Sequence, residues 1–321
     1  MTTEIQPLLK TTHLSKHFDL GKGSSLYAVD DVSLNIYAGE TLGLVGESGC
    51  GKSTLGRVLV RMYDQTSGSY QFRNKELPRK LSTAERRLFS REAQMIFQDP
   101  YSSLNPRMTV GDVISEGPEI HGMWKGADRQ KKINEWLNRV GLVPEHAARF
   151  PHEFSGGQRQ RIGIARALAL EPKFVVCDEP ISALDVSVQA QVVTLLQNLQ
   201  RELGLTYLFI AHSLSMVRYI SNRMAVMYLG KVVELGPSEE VYSRPLHPYS
   251  EALIASNPFP DPIAERSRAH TLLAGEITSP VNPKPGCRFA GRCPIVTDRC
   301  RSETPQLREV QPGRMVACHL R

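Results

Sequence analysis

Nine residues constrain this chain more than any others: Gly46-Glu47-Ser48-Gly49-Cys50-Gly51-Lys52-Ser53-Thr54. They fit G-x-x-x-x-G-K-[ST], a phosphate-binding loop. Glycines let the backbone curl so that successive N–H groups face a β-phosphate, and a helix start behind them adds positive field. At that spacing Lys52 reaches the β- and γ-phosphates and Ser53 offers a hydroxyl to Mg²⁺. The flanks agree. Thr41 to Val45 reads as a short buried strand, and Leu55 to Arg61 continues as a helix.

The rest of the chain supplies an α/β framework. Val32 to Ile36 alternates with period two, and with residues 8–15 predicts an antiparallel sheet ahead of the loop. Phe18 and Tyr27 flank the turn region between these strands. One of them can stack on an adenine ring, and Phe18 is favoured by its place after the first strand. Ala93 to Phe97, Phe174 to Glu179 and Tyr207 to Ala211 read as further strands, ending at Gln98, at Asp178-Glu179 and at His212. The helix after Asp178 carries Val188, Val192, Leu195, Leu196, Leu199 and Leu203 on one face. Strands alternating with helices predict a parallel sheet covered on both faces, with ligands at the strands' carboxyl ends. Residues 101–155 differ in character. Ile133, Trp136, Leu137 and Val140 mark an amphipathic helix, so a helical insertion is expected. Met224 to Leu229 and Lys231 to Leu235 look like a closing pair of strands.

Two acids ending an apolar strand can hold Mg²⁺ (Asp178) and polarise a water (Glu179). Phe154-Ser155-Gly156-Gly157-Gln158 precedes another helix, with Ser155 as its cap. The glycines there make a second anion site at a helix start. One triphosphate has little use for two such sites in one chain, so a dimer is expected in which this loop reaches the partner's γ-phosphate.

In order along the chain, these residues resemble the motifs of an ATP-binding-cassette (ABC) ATPase. The resemblance identifies Gly46–Thr54 as Walker A, Gln98 as the Q-loop and Ser155 to Gln158 as the signature. It identifies Asp178 as the Walker B aspartate, Glu179 as the catalytic glutamate, Ser182 to Asp185 as the D-loop and His212 as the switch histidine. Ser213 stands where the family often has Asp, and Ser caps a helix as well. The resemblance implies a P-loop NTPase with a RecA-like parallel core, an antiparallel β subdomain and an α-helical subdomain. It implies two cassettes sandwiching two MgATP, with Gln98 sensing the γ-phosphate or metal. Asp99 to Arg107 and Leu246-His247-Pro248-Tyr249-Ser250-Glu251-Ala252-Leu253 resemble the oligopeptide/dipeptide importer branch, in its second-ATPase type. That implies a homologous second ATPase, two permease subunits and, indirectly, a periplasmic or extracellular binding protein. It also implies a seat on the cytoplasmic side of the inner membrane and no nucleic-acid partner. Nickel, glutathione or another solute stays open as the cargo.

The end of the chain stands apart. No apolar run approaches ~18 residues and Met1-Thr2-Thr3-Glu4 has no secretory look, so a cytosolic chain is expected. A division is expected into a cassette, 1–255, and a tail, 256–321, marked by Pro258, Pro260 and Pro262. The tail holds nine of the 21 prolines, and ten Lys/Arg against six Asp/Glu out of a chain total of +6. That basic balance suits an anionic surface, or arginines packed on the protein itself. A small irregular tail without a large core is expected. Four of the six cysteines lie there, as C-x5-C-x6-C-x17-C: Cys287, Cys293, Cys300 and Cys318. These gaps are wider than the pairs of structural zinc sites, and four thiolates are the usual ligands of iron–sulfur groups. The resemblance implies a [4Fe-4S] cluster. Zinc and free thiols remain alternatives, with His319 a further possible ligand. Cys50 and Cys177 read as small packing residues.

Overall fold

The computed structural model describes residues 6–256 and 278–321. Pro258, Pro260 and Pro262, and with them the expected boundary of the tail, lie outside the described residues. The centre is a mixed eight-stranded sheet. Its parallel part is built from β3 (Thr41–Val45), β6 (Ala93–Ile96), β7 (Phe174–Asp178), β8 (Thr206–Ile210) and β9 (Arg223–Tyr228). β3, β7 and β8 are buried at every residue. Their near-continuous apolar runs are therefore those of strands covered on both faces.

Successive residues of these strands divide between two cores. Leu42, Leu44, Phe174, Val176, Leu208 and Ile210 join one; Val45, Val175, Cys177, Tyr207 and Phe209 join the other. This is the period of two expected from a pleated strand. Each such fully buried side chain is worth ~1.5–3 kcal/mol of burial. On the first face lie α1 (Lys52–Leu59) and a four-stranded antiparallel sheet. That sheet is made of β1 (Leu9–Gly21), β2 (Ser24–Ile36), β4 (Ser67–Phe72) and β5 (Lys75–Leu77). β1 and β2 are both longer than their alternating segments suggest, and the pairing absorbs the difference in register shifts.

The second face is covered by helices. α3 (Val110–Ile120) and α4 (Ala127–Arg139) form the expected insertion, and Ile133, Trp136 and Leu137 are buried as their spacing predicts. α5 (Gly156–Leu168), α6 (Val186–Leu203) and α7 (Leu214–Ile220) pack there as well. One helix was not anticipated: α2 (Thr83–Glu92), whose start is fixed by a reciprocal pair. Glu85 N–H donates to Ser82 Oγ, and the Glu85 carboxylate accepts from Ser82 N–H.

The tail is more regular than expected. β10 (Lys231–Pro237) pairs antiparallel with β9 and offers its other edge to the tail. β11 (Arg308–Gln311) and β12 (Arg314–Val316) form a hairpin that extends the central sheet through β12. The basic balance also finds a use. Arg288 pairs with Asp30 (2.6 Å), Arg292 with Glu47 (3.1 Å), Arg314 with Glu234 (2.7 Å) and Arg321 with Glu251 (3.0 Å). Each joins a tail arginine to an acid of the cassette.

Candidate functional site

The loop between β3 and α1 is shaped by glycines that no other residue can replace. Gly46 (φ 152°) lies so close to Met227 O, and Gly51 (φ 108°) to Ala28 O, that a Cβ at either would overlap a backbone carbonyl. α1 then starts without a side-chain cap, so its first N–H groups are open to an anion. Lys52 is buried, and its Nζ donates to Gly46 O (2.9 Å) and Glu47 O (3.0 Å).

The ends of the parallel strands bring the remaining groups to this loop. Ser53 Oγ donates to Asp178 Oδ1 at 2.8 Å. Burial pushes the Asp178 carboxyl up, against the Ser53 hydroxyl and the positive charges of Arg57 and Lys52. A hydroxyl and a buried carboxylate in contact make the hard oxygen donor set that Mg²⁺ takes. Glu179 follows, held in a left-handed backbone conformation (φ 48°) with its N–H on Ile210 O at 3.0 Å. That conformation is unfavourable for a residue with a Cβ and is stored at the head of the site. The Glu179 carboxylate lies between Gln98 Nε2 (2.7 Å) and His212 Nε2 (2.7 Å). Ser213 caps α7 by accepting from Met216 N–H at 3.4 Å, which fixes the chain just after His212.

Ser48 to Thr54, Gln98, Glu179 and His212 line one open cleft. Phe18 and Tyr27 stand at its far wall. One face of Tyr27 is taken by His17, with ring centroids 3.8 Å apart, whereas Phe18 meets Tyr63 edge-on at 5.6 Å and has Lys16 Nζ over its ring at 4.9 Å. Ser155, Gly156, Gly157, Gln158 and Asp185 are not on the cleft. Ser155 and Gly156 are exposed at the start of α5, where Ser155 Oγ accepts from Gln158 N–H and the Gln158 side chain accepts from Ser155 N–H. Asp185 is exposed at the start of α6. Cys50 and Cys177 are buried with thiols pushed up by burial, as packing residues.

The four tail cysteines line one small cavity, together with His247, Phe289 and His319. Burial, with the three neighbouring thiols adding to it, pushes the Cys287 thiol up to about 11. Among the described residues no three His, Cys, Asp or Glu side chains stand close enough to hold a single metal ion. Four thiols around one cavity are the donor chemistry that iron–sulfur groups take. His319 Nε2 is engaged with Glu303 O at 3.0 Å.

Two known families match parts of the chain. Residues 29–182 match the family described as "ABC transporter", and 233–300 match "Oligopeptide/dipeptide transporter, C-terminal region". The putative oligopeptide transport ATP-binding protein YkfD of Bacillus subtilis is 58% identical, over 98% of this chain and 95% of that protein. The oligopeptide transport ATP-binding protein OppF of the same organism is 52% identical, over 98% and 96%. The chain belongs to the ABC transporter ATP-binding family, in its oligopeptide/dipeptide branch. This ABC ATPase is also similar to solved cassettes. A dimeric post-hydrolysis structure of MJ0796 bound to ADP and Pi gives a TM-score of 0.64 at 28% identity, over 72% of this chain and 98% of that one. CbiO1 from Clostridium perfringens, part of the ABC transporter complex cbiONQ, gives 0.65 at 29%, over 74% and 92%. An ABC ATPase works with a membrane permease, and no helix among the described residues is long and apolar enough to cross a membrane.

Several residues around the cleft of this ABC ATPase escape sequence reading. Pro280, Leu229 and Gly230 line it. Tyr249 and Arg292 hold Glu47 from behind. Nothing local to Tyr249 or Arg292 marks either as a partner of Glu47, which lies 245 positions from Arg292.

Proposed function

We propose that this chain is one of two unlike cassettes that power a peptide importer from the cytoplasmic face of the cell membrane. The observation that carries this reading is a separation. Lys52, Ser53, Gln98, Glu179 and His212 converge on one cleft, while the capped, exposed helix start at Ser155 to Gln158 stands outside it. A site so divided is complete only when a second cassette brings its signature loop and D-loop, here supplied in turn by Ser155, Gly156, Gly157, Gln158 and Asp185.

In this mechanism Phe18 stacks on the adenine, and the amides of Glu47 to Thr54 with Lys52 hold the phosphates. Ser53, Asp178 and Gln98 would hold Mg²⁺, which would supply charge neutralisation to the phosphates. Glu179 takes a proton from the attacking water as its oxygen bonds to the γ-phosphorus and the bond to the β-phosphate oxygen breaks. The phosphate and ADP leave, and the proton rests on Glu179. His212 donates to the γ-phosphate, and Gln98 passes the change of ligand to the permease. Loss of the γ-phosphate loosens the pair of cassettes, a rigid-body switch.

The names of the relatives support di- or oligopeptides as cargo. Uptake of a labelled dipeptide into vesicles holding this chain, its partner cassette and the permease tests the reading. Uptake should stop when this chain is withheld; undiminished uptake contradicts it. We further propose that Cys287, Cys293, Cys300 and Cys318 bind a [4Fe-4S] cluster, which would supply a covalent staple to a tail with little core of its own. Their shared cavity supports it. Anaerobically purified protein should contain iron, and Cys293→Ser should lose both the iron and the protection of the tail from protease. Colourless, iron-free parent protein would sink the cluster.

A further inference from the structure

The phosphate loop is held from behind by residues that belong to none of its motifs. Glu47, the second residue of the loop, is fixed at three of its groups. Its N–H donates to Tyr249 Oη at 2.9 Å. Its carboxylate accepts from Arg292 Nη1, 3.1 Å from each oxygen. Its carbonyl accepts Lys52 Nζ at 3.0 Å. Two of these ties therefore come from the far end of the chain, and the third is the resting place of the cation that meets the phosphates.

The ties are not loose surface contacts. The Arg292 side chain is 11% exposed and that of Glu47 27%. Tyr228, Tyr249 and Phe289 pack as one aromatic cluster, with centroids 4.5, 5.3 and 5.5 Å apart. Phe289 is buried in it and lies three residues before Arg292. The same tail reaches the opposite wall of the cleft, where Tyr27 N–H donates to Pro280 O at 3.0 Å and Leu26 bridges Val281. A tail gripping the loop at Glu47 and the base wall at Tyr27 sets the separation of the two surfaces between which a nucleotide lies.

We propose that Arg292 and Tyr249 are positioning residues of the nucleotide site, which through Glu47 set the geometry of the phosphate loop and hence its affinity for MgATP. The tail is then part of the ATP site and not an appendage to it. This rests on reading the cleft as the ATP site. A rigid tie lowers the ordering required when the phosphates arrive, so its loss appears in binding and not in the chemical step.

The test is the Kd for MgATP of the full chain, read with a fluorescent ATP analogue, beside KM and kcat in the assembled transporter. Arg292→Met should raise Kd and KM by about three- to tenfold with kcat within about twofold, a part of what a charge-assisted hydrogen bond is worth, since the tie acts on the phosphates only through the loop. Arg292→Lys should recover most of the loss. Tyr249→Phe keeps the ring packing and should raise Kd by about two- to fivefold, as for one neutral hydrogen bond. Arg292→Met combined with Glu47→Gln should be no worse than the worse single change, since both cut one tie. If Arg292→Met fails to fold, Glu47→Gln, which leaves the tail whole, must show the same rise. Parental Kd in these variants, with only a lowered melting temperature, overturns the proposal. Parent protein that binds no ATP overturns the reading of the cleft itself, and this inference with it.

Discussion

The nucleotide cleft and the four-cysteine cavity are both assembled from residues far apart in sequence, yet they are held in opposite ways. The cleft sits at the ends of parallel strands that are apolar and buried throughout, so its polar groups stand on a core of dispersion and hydrophobic contacts. The cavity rests on a short helix, Asp298–Ser302, and a two-strand hairpin, neither with much apolar surface. Its hold on the cassette combines one aromatic cluster, through Phe289, with four arginine–carboxylate pairs and one sheet edge. The difference teaches that the cleft should lose activity without losing structure when a side chain is changed, whereas the tail should lose structure first.

The largest effect expected from this contrast is at Glu179. Glu179→Gln keeps the shape and the bond from Gln98 but removes the base, so turnover should fall about 10³-fold with ATP binding retained. Single-turnover hydrolysis beside ATP binding reads both, and undiminished hydrolysis would refute the role. The matching change in the tail is Arg314→Met. Arg314 and Glu234 are almost wholly buried, and Glu234 also accepts from Leu246 and His247 N–H. Removing one charge of such a pair costs ~3 kcal/mol or more. The melting temperature should drop by several degrees, and a tail that stays protected from protease would break the comparison.

A smaller effect sharpens it through pH. His247 is buried, and burial, with the Arg321 charge adding to it, holds it at a pKa of about 4, below the usual histidine value of 6.5. Its Nδ1 accepts from Tyr249 N–H at 3.0 Å, which requires the neutral ring. The unfolded chain takes the proton first, so stability is full above pH 6.5 and is lost as pH falls towards 4. The loss should reach about 2–3 kcal/mol at the lower limit. His247→Asn keeps a cap acceptor and should flatten the melting temperature between pH 7 and 5; an unchanged pH slope contradicts this.

Much of the cleft is legible in the sequence because its groups are carried by local motifs on strands and helices of clear period. The strand ends at Gln98, Asp178 and His212 follow from apolar runs alone. Ser82-Thr83-Ala84-Glu85 carries the same kind of local signal, a helix start whose two reciprocal hydrogen bonds the structure contains. The tail hairpin was not legible. Arg308–Gln311 and Arg314–Val316 are short and polar, and they are strands because β10 offers them an edge. The grip of Arg292 on Glu47 was hidden for the same reason: pairing across 245 residues is decided by where the sheet brings the chain, not by local pattern.

The central claim is that each cassette completes the other's site, and Gly156 tests it most directly. A Cβ there would meet only Leu184 Cδ2 at 3.6 Å, an ordinary contact, and an acid at a helix start favours the helix. Gly156→Asp should therefore fold and bind ATP in its own cleft with parental affinity. In the assembled transporter its carboxylate would face the partner's γ-phosphate, and ATP turnover at the partner's site should fall by about 10²-fold or more. Parental turnover at that site, or full turnover by the isolated chain alone, would contradict the account.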